Sequence, residues 1–135
     1  MITTDIAAYL QTAGLGTVGT DIFKGYIPES PNDCTVLFQR GGQPPEVVRT
    51  PVALEYPELH VIVRRDGDTA YEDAMDMGND IMIALHTLYE QTINARRYLY
   101  IRALSSPTLL RYDYSQRPPH VYVAIDFAVT KECES

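Results

Sequence analysis

The chain has 135 residues, of which 45% are hydrophobic and 21% charged; that balance fits one folded domain, able to bury about two thirds of its unfolded surface, and excludes a disordered chain. A formal net charge of -7, with Lys24 and Lys131 the only lysines and the arginines scattered, disfavours a nucleic-acid-binding surface, which needs clustered cations. No apolar run approaches the ~20 residues of a membrane span and no signal-peptide pattern opens the sequence, so a protein kept inside the producing cell is expected, with Cys34 and Cys133 as free thiols.

Thr3 or Thr4 is placed to cap a short helix through about Gln11, because Ile6, Tyr9 and Leu10 share a face and Gly14 stops the run. Two apolar runs follow, 22–27 and 35–39, separated by Pro28, Pro31 and Asn32-Asp33, which reads as strand, turn and strand. From Arg40 to Pro57 the Gly41-Gly42 and Pro44-Pro45 pairs, Pro51 and Pro57 argue against a regular ladder. This stretch reads as a long Pro/Gly-rich arm, either a disordered excursion or an ordered contact arm gripping through Val47, Val48, Val52 and Leu54. Residues 59–64 alternate as a strand, with Leu59, Val61 and Val63 on one face and His60 and Ile62 on the other. Thr69 and Glu72 form a capping-box pattern, and Tyr71, Ala74, Gly78, Ile81, Leu85 and Leu88 carry a helical period, predicting one long amphipathic helix over 69–89. Strands are predicted over 98–104, 109–114 and 121–129; in the last, Val121, Val123, Ile125, Phe127 and Val129 alternate against His120, Tyr122, Ala124, Asp126 and Thr130. The expected fold is α+β: a mainly antiparallel sheet backed by the long helix and the short first one, in a single domain over 1–131 with a disordered tail at 132–135.

Gly14, Gly16 and Gly19 spell a dinucleotide fingerprint, but a helix precedes it and a strand follows, the reverse of the order that brings a helix N-terminus to a pyrophosphate. A mobile glycine connection is the simpler reading. His60, His86 and His120 lie on separate elements without metal-ligand spacing, His60 as a half-buried strand residue and His86 as a solvated helix residue. Ser30, Ser105, Ser106 and Ser115 sit in turns, and Cys34 opens an apolar strand where a thiol is inert. No catalytic, cofactor-binding or metal-binding residue is assigned.

Two patterns point instead to surfaces. Glu72, Asp73, Asp76 and Asp80 load the first half of the long helix; the helix dipole favours them there, yet the i,i+4 like-charge pairs each cost about 0.2–0.5 kcal/mol. A face kept negative to repel phosphate or to meet a basic partner is the functional reading, with Asp73, Asp76 and Asp80 its candidates. Ten tyrosines and no tryptophan is a skewed set, and Tyr98, Tyr100 and Tyr122 lie opposite the apolar sets of their own strands. One sheet face would then be covered by the helix and the other by a neighbouring subunit.

The stretch DIAAYLQTAGLGTVGTDIFKGYIPESPNDCTVLFQRGGQPP, the segment YPELHVIVRRDGDTAYEDAMDMGNDIMIAL and the closing strand together resemble the tail terminator proteins of long-tailed phages, a family also labelled minor capsid protein. The correspondence lies in the order of short motifs: the helix at Ile6–Leu10, the GLGT connection at Leu15–Thr17, the turn at Pro28–Asp33, Gly41-Gly42, and the strand from Glu55 to Arg64; the tail after Thr130 matches nothing. The resemblance implies a virion protein, assembled in the host cytoplasm, that forms a homohexameric ring on the head-proximal end of the tail tube. Such a ring ends tube polymerisation and offers the surface that joins the head. Its implied partners are further copies of itself, the tail tube protein and a head-completion or connector protein, with no membrane and no specific nucleic-acid binding although DNA passes through the ring. A stopper or adaptor of the head–tail joint is the alternative, and a small-molecule-binding α+β domain a third. The family offers no catalytic residues to carry over, so Arg40, Val47, Val48, Arg49, Tyr98, Tyr100 and Tyr122 are taken as subunit or tube contacts on physical grounds, and Asp73, Asp76 and Asp80 as a face toward the DNA passage.

Overall fold

A computed structural model describes residues 1–43, 54–116 and 118–132. It shows an α+β protein, mostly sheet, with helices α1 (Ile2–Thr12) and α2 (Ala70–Leu85) and strands β1 (Ile22–Lys24), β2 (Cys34–Gln43), β3 (Leu54–Asp66), β4 (Leu88–Ile93), β5 (Arg96–Ala103), β6 (Thr108–Asp113) and β7 (His120–Glu132). The seven strands form one sheet in the order β1-β2-β3-β7-β5-β4, and β6 pairs with β7 beyond the end of β5. β5 and β6 thus run in line along one side of β7, interrupted by the turn around Pro107.

The alternation of β3 and β7 sorts the sheet as the sequence predicts. Leu59, Val61 and Val63 join Val121, Val123, Ile125, Phe127 and Val129 in a core that also takes Ile2, Ile6 and Leu10 of α1 and Ala74, Ile81 and Leu85 of α2. Both helices therefore cover one face. Cys34, Val36, Ile62 and Tyr122 are buried as well, but outside that core, on the face that carries no helix among the described residues.

α1 begins at Ile2 with Met1 as N-cap and no side-chain cap, so neither Thr3, which is buried, nor Thr4 caps it. Its C-terminus is a Schellman turn: Gly14 N–H donates to Gln11 and Leu15 N–H to Leu10, with Gly14 at φ +82°. The glycine segment beyond is held by hydrogen bonds. Thr17 N–H donates to the Asp21 carboxylate at 2.6 Å and Val18 N–H to Gln11 Oε1 at 2.7 Å, while Gly19 N–H takes the Ile22 carbonyl. Amides that would cradle a phosphate are thus committed within the turn.

Several expectations need correction. β1 pairs with β2 in parallel, not antiparallel, and stops at Lys24; Arg64 donates to the carbonyls of Pro31 (2.7 Å) and Asn32 (2.9 Å) and ties down the connector that makes this crossover possible. The predicted 69–89 helix is α2 followed by a strand. His86 turns to extended backbone (ψ 131°) and Thr87 to φ +64°, which ends the helix and sends 88–93 into β4 beside β5. The capping box does not form, because the Thr69 hydroxyl donates to the Asp73 carboxylate at 2.9 Å instead of receiving a backbone N–H. Both ends of the predicted arm belong to the ladder: β2 runs on through Gly41-Gly42 with a bulge before Gln43, and β3 starts at Leu54 and includes Pro57. The remainder, 44–53, lies outside the described residues. So do residues 133–135, while Glu132 belongs to β7.

Candidate interaction surfaces

Residues of even number on β2, β3 and β7 share the helix-free face, since the ladder pairs Phe38 with His60 and His60 with Asp126. His60 Nδ1 lies 2.5 Å from Asp126 Oδ1, and the Arg40 guanidinium reaches the same oxygen at 3.7 Å. Arg40 is half exposed, at 52% of its side chain, so it borders both this charge cluster and solvent. Across β7, Tyr100 stands opposite Thr130 and Arg102 opposite Ala128 on the same face; both are exposed. Next along β6, Arg111 pairs with Tyr122 and lays its guanidinium 4.5 Å from that ring's centre.

Of the tyrosines predicted for a subunit contact, the structure separates Tyr98 from Tyr100. Tyr98 pairs with Lys131 and Tyr100 with Thr130, so Leu99 is an extra residue in β5. The bulge turns Tyr98 onto the helix side, where it is fully buried. There its hydroxyl donates to the buried Asp5 carboxylate at 2.5 Å, which also receives Asn94 Nδ2 and Arg96 Nη1 at 3.1 Å each. Lys131, likewise buried, donates to Glu55 at 2.5 Å and sits 5.6 Å from the Tyr98 ring. The cover over Tyr98 is α1 of its own chain. Tyr122 is 5% exposed beneath Arg111, so of the three only Tyr100 presents substantial surface. Val47, Val48 and Arg49 lie outside the described residues.

Asp73, Asp76 and Asp80 are all exposed on α2, together with Glu72. At 100° per residue Glu72, Asp76 and Asn79 point opposite to the buried Ala74, Gly78, Ile81 and Leu85. Ile83, 74% exposed, lies in the middle of this outward face.

The residues that sequence reasoning passed over are on β6. Leu109, Leu110 and Tyr112 are 39–50% exposed and Tyr114, just beyond, 72%. Among the described residues β6 pairs only with β7, which leaves its other edge with unpaired backbone groups, and Tyr112 and Tyr114 stack at 5.6 Å. Leu109 and Tyr112 stand on the helix side of β6, opposite Val123 and Val121, while Thr108, Arg111 and Asp113 stand on the other side.

Two hollows among the described residues are modest. A hollow of ≈ 290 Å³ between α1 and β4 is lined by Ala8, Tyr9, Thr12, Gln91, Thr92, Ile93 and Asn94, without a charged group. A smaller one, ≈ 160 Å³, is lined by Met1, Ile2, Gln39, Glu55 and Pro57, and its carboxylate already holds Lys131. The described residues contain no cluster of metal-ligating side chains. Cys34 is a buried free thiol whose pKa is raised, chiefly by burial, against the lowering effect of Arg64 and Arg65. His86 is the C-cap of α2, and its Nδ1 accepts the Ala103 N–H at 2.9 Å, so it joins α2 to β5.

A family model for the bacteriophage tail terminator protein matches residues 9–118. Among solved structures, a chain from the virion of a native gene transfer agent particle is similar in fold: the TM-score is 0.64 at 14% identity, over 98% of this chain and 95% of that one. No curated protein matches. The fold and the family match together define a structural protein of the phage virion, located in its tail. The chain belongs to the bacteriophage tail terminator family.

Proposed function

We propose that the protein forms a ring, hexameric in the reading its family resemblance supports, that caps the head-proximal end of the tail tube. The ring ends tube polymerisation and offers the surface on which the head is joined. Its partners are then other copies of itself, the tail tube protein and a head-completion protein, with DNA passing through the bore. The observation that carries this reading is the asymmetry of exposed surface: an apolar open strand edge at β6, an arginine- and tyrosine-bearing sheet face, and an acidic helix face, all on one subunit. Unlike surfaces make heterologous contacts, and heterologous contacts that close give rings. Arg40 and Tyr100 are the described candidates for subunit or tube contact. Asp73, Asp76 and Asp80 would repel phosphate wherever they bordered the passage.

The test is tube growth. Recombinant tail tube protein polymerised with increasing amounts of this protein is expected to give shorter tubes with a cap at one end in negative-stain micrographs. Tube lengths unchanged at saturating protein would sink the reading.

A further inference from the structure

The arginines divide by what they do. Arg64 and Arg65 donate to backbone carbonyls, Arg96 pairs with Asp5, and Arg97 bridges Glu90 and Glu132. Arg102 and Arg111 form no ion pair among the described residues, and Arg40 only the 3.7 Å contact to Asp126. These three arginines all lie on the helix-free sheet face. Glu58 and Asp126 share that face on the Arg40 side; Arg102 and Arg111 stand on the β5–β6 side, with Tyr100 two residues from Arg102 along β5. The Asp113 carboxylate near Arg111 is engaged by Ser115, which holds its pKa low. The Arg111 guanidinium lies over the Tyr122 ring, 4.5 Å from its centre.

On the opposite side of the molecule the situation is inverted. α2 contains no Lys or Arg, and Glu72, Asp76 and Asp80 have no ion-pair partner among the described residues. The α2 surface and the sheet surface lie on the two outer sides of a helix–sheet sandwich, so one molecule cannot bring them together. Two copies can.

Resting on the ring reading, we propose that the helix-free sheet face around Arg102, Arg111 and Tyr100 docks the outward face of α2 from the next copy of this chain, head to tail. Glu72, Asp76 and Asp80 then meet the guanidiniums of Arg102 and Arg111, and Ile83 is buried against the tyrosine-bearing sheet. A wall facing DNA needs negative charge alone. Ile83, exposed about one turn beyond Asp80 on the same outward side of α2, favours a protein partner over the bore.

The test is a charge exchange, with self-association measured by sedimentation equilibrium and capping measured on polymerised tubes. Asp76→Arg with Asp80→Arg, and separately Arg102→Glu with Arg111→Glu, are each expected to weaken association by roughly tenfold or more, because attraction is replaced by like-charge repulsion. The four substitutions in one chain are expected to bring it back to within about threefold of the wild type, as reversed pairs attract again. All four positions are exposed, and circular dichroism of each variant serves as the check on folding. Pair variants that assemble and cap like the wild type, or a fourfold variant that does not recover, would overturn the proposal while leaving the ring intact. The same holds if the Asp76→Arg, Asp80→Arg protein assembles normally but its ring binds duplex DNA, for the stripe would then face the bore. A wild type that neither self-associates nor caps tubes removes the ring itself, and this interface with it.

Discussion

Three donors converge on one carboxylate at Asp5: the Tyr98 hydroxyl, Arg96 and Asn94. A buried carboxylate is tolerable only when its lone pairs are occupied, so each donor offsets part of the desolvation of the others' acceptor. Tyr98→Phe keeps the ring and removes one donor; it is expected to cost about 1–3 kcal/mol in urea unfolding. Tyr100→Phe, half exposed on the other face, is expected to change stability by less than about 0.5 kcal/mol. Sequence alternation assigns these two tyrosines to one face, and only the unpaired Leu99 separates them. A bulge leaves no compositional mark in Arg-Arg-Tyr-Leu-Tyr-Ile, and that is why the inward turn was not legible. Cys34 was legible as an inert thiol because it opens an apolar strand. Its raised pKa means that the protonated thiol suits the folded state; stability from that preference is full below the ordinary thiol pKa and is lost as pH rises through the folded value. In a Cys133→Ser background, alkylation of Cys34 by iodoacetamide at pH 8 is expected to be slower in the native protein than in urea, by mass spectrometry.

At the scale of elements, turns decide what periodicity leaves open. The β4–β5 hairpin turns on Asn94-Ala95, both at positive φ (51° and 63°), the conformation of a type I′ turn. Alanine there is strained, so Ala95→Gly is expected to raise stability by about 0.5–1 kcal/mol, read as a higher melting temperature. Gly42 is the converse case: at φ +64° a Cβ would lie 2.1 Å from the Tyr56 carbonyl oxygen. Gly42→Ala is expected to cost at least ~2 kcal/mol and to weaken amide protection at the β2–β3 end in hydrogen exchange. The bulge that Gly42 permits is also what carries the ladder through a glycine pair read from sequence as its end. Strands β3 and β7 were legible because each alternates cleanly against one buried face. β4 was not, since Leu88 continues the helical period of Leu85 and the break at His86-Thr87 uses residues without turn preference. β1 pairs in parallel, with the connector to β2 held by Arg64 donating to the Pro31 and Asn32 carbonyls from far along the chain, which no local pattern announces.

At the scale of the whole molecule, the interaction surfaces divide between what local pattern shows and what only assembly of the sheet reveals. The acidic stripe was visible in sequence because an α-helix puts i and i+4 side by side. The arginine face was not, as Arg40, Arg102 and Arg111 come from three strands that only the strand order brings onto one side. Nor was the open edge of β6, which exists because β5 and β6 share one flank of β7. If charge complementarity joins subunits, assembly is salt-sensitive: self-association is expected to weaken several-fold between about 50 and 500 mM NaCl, as screening shortens from roughly 14 Å to 4 Å. Light scattering at both ionic strengths checks this.

The position of β7 bears on timing as much as on packing. β3 lies on one flank of it and β5 with β6 on the other, so among the described residues the two halves of the sheet are hydrogen-bonded to each other only through residues 120–132. During synthesis neither half has its mate until that strand leaves the ribosome, and Asp5 waits for partners 89 to 93 residues downstream. Nascent chains shorter than 120 residues should therefore lack cooperative unfolding, with folding of the longer chain in the millisecond-to-second range of topologies rich in distant contacts. The acidic helix face and the arginine sheet face consequently appear together, and a half-made subunit has neither to offer to a growing tail.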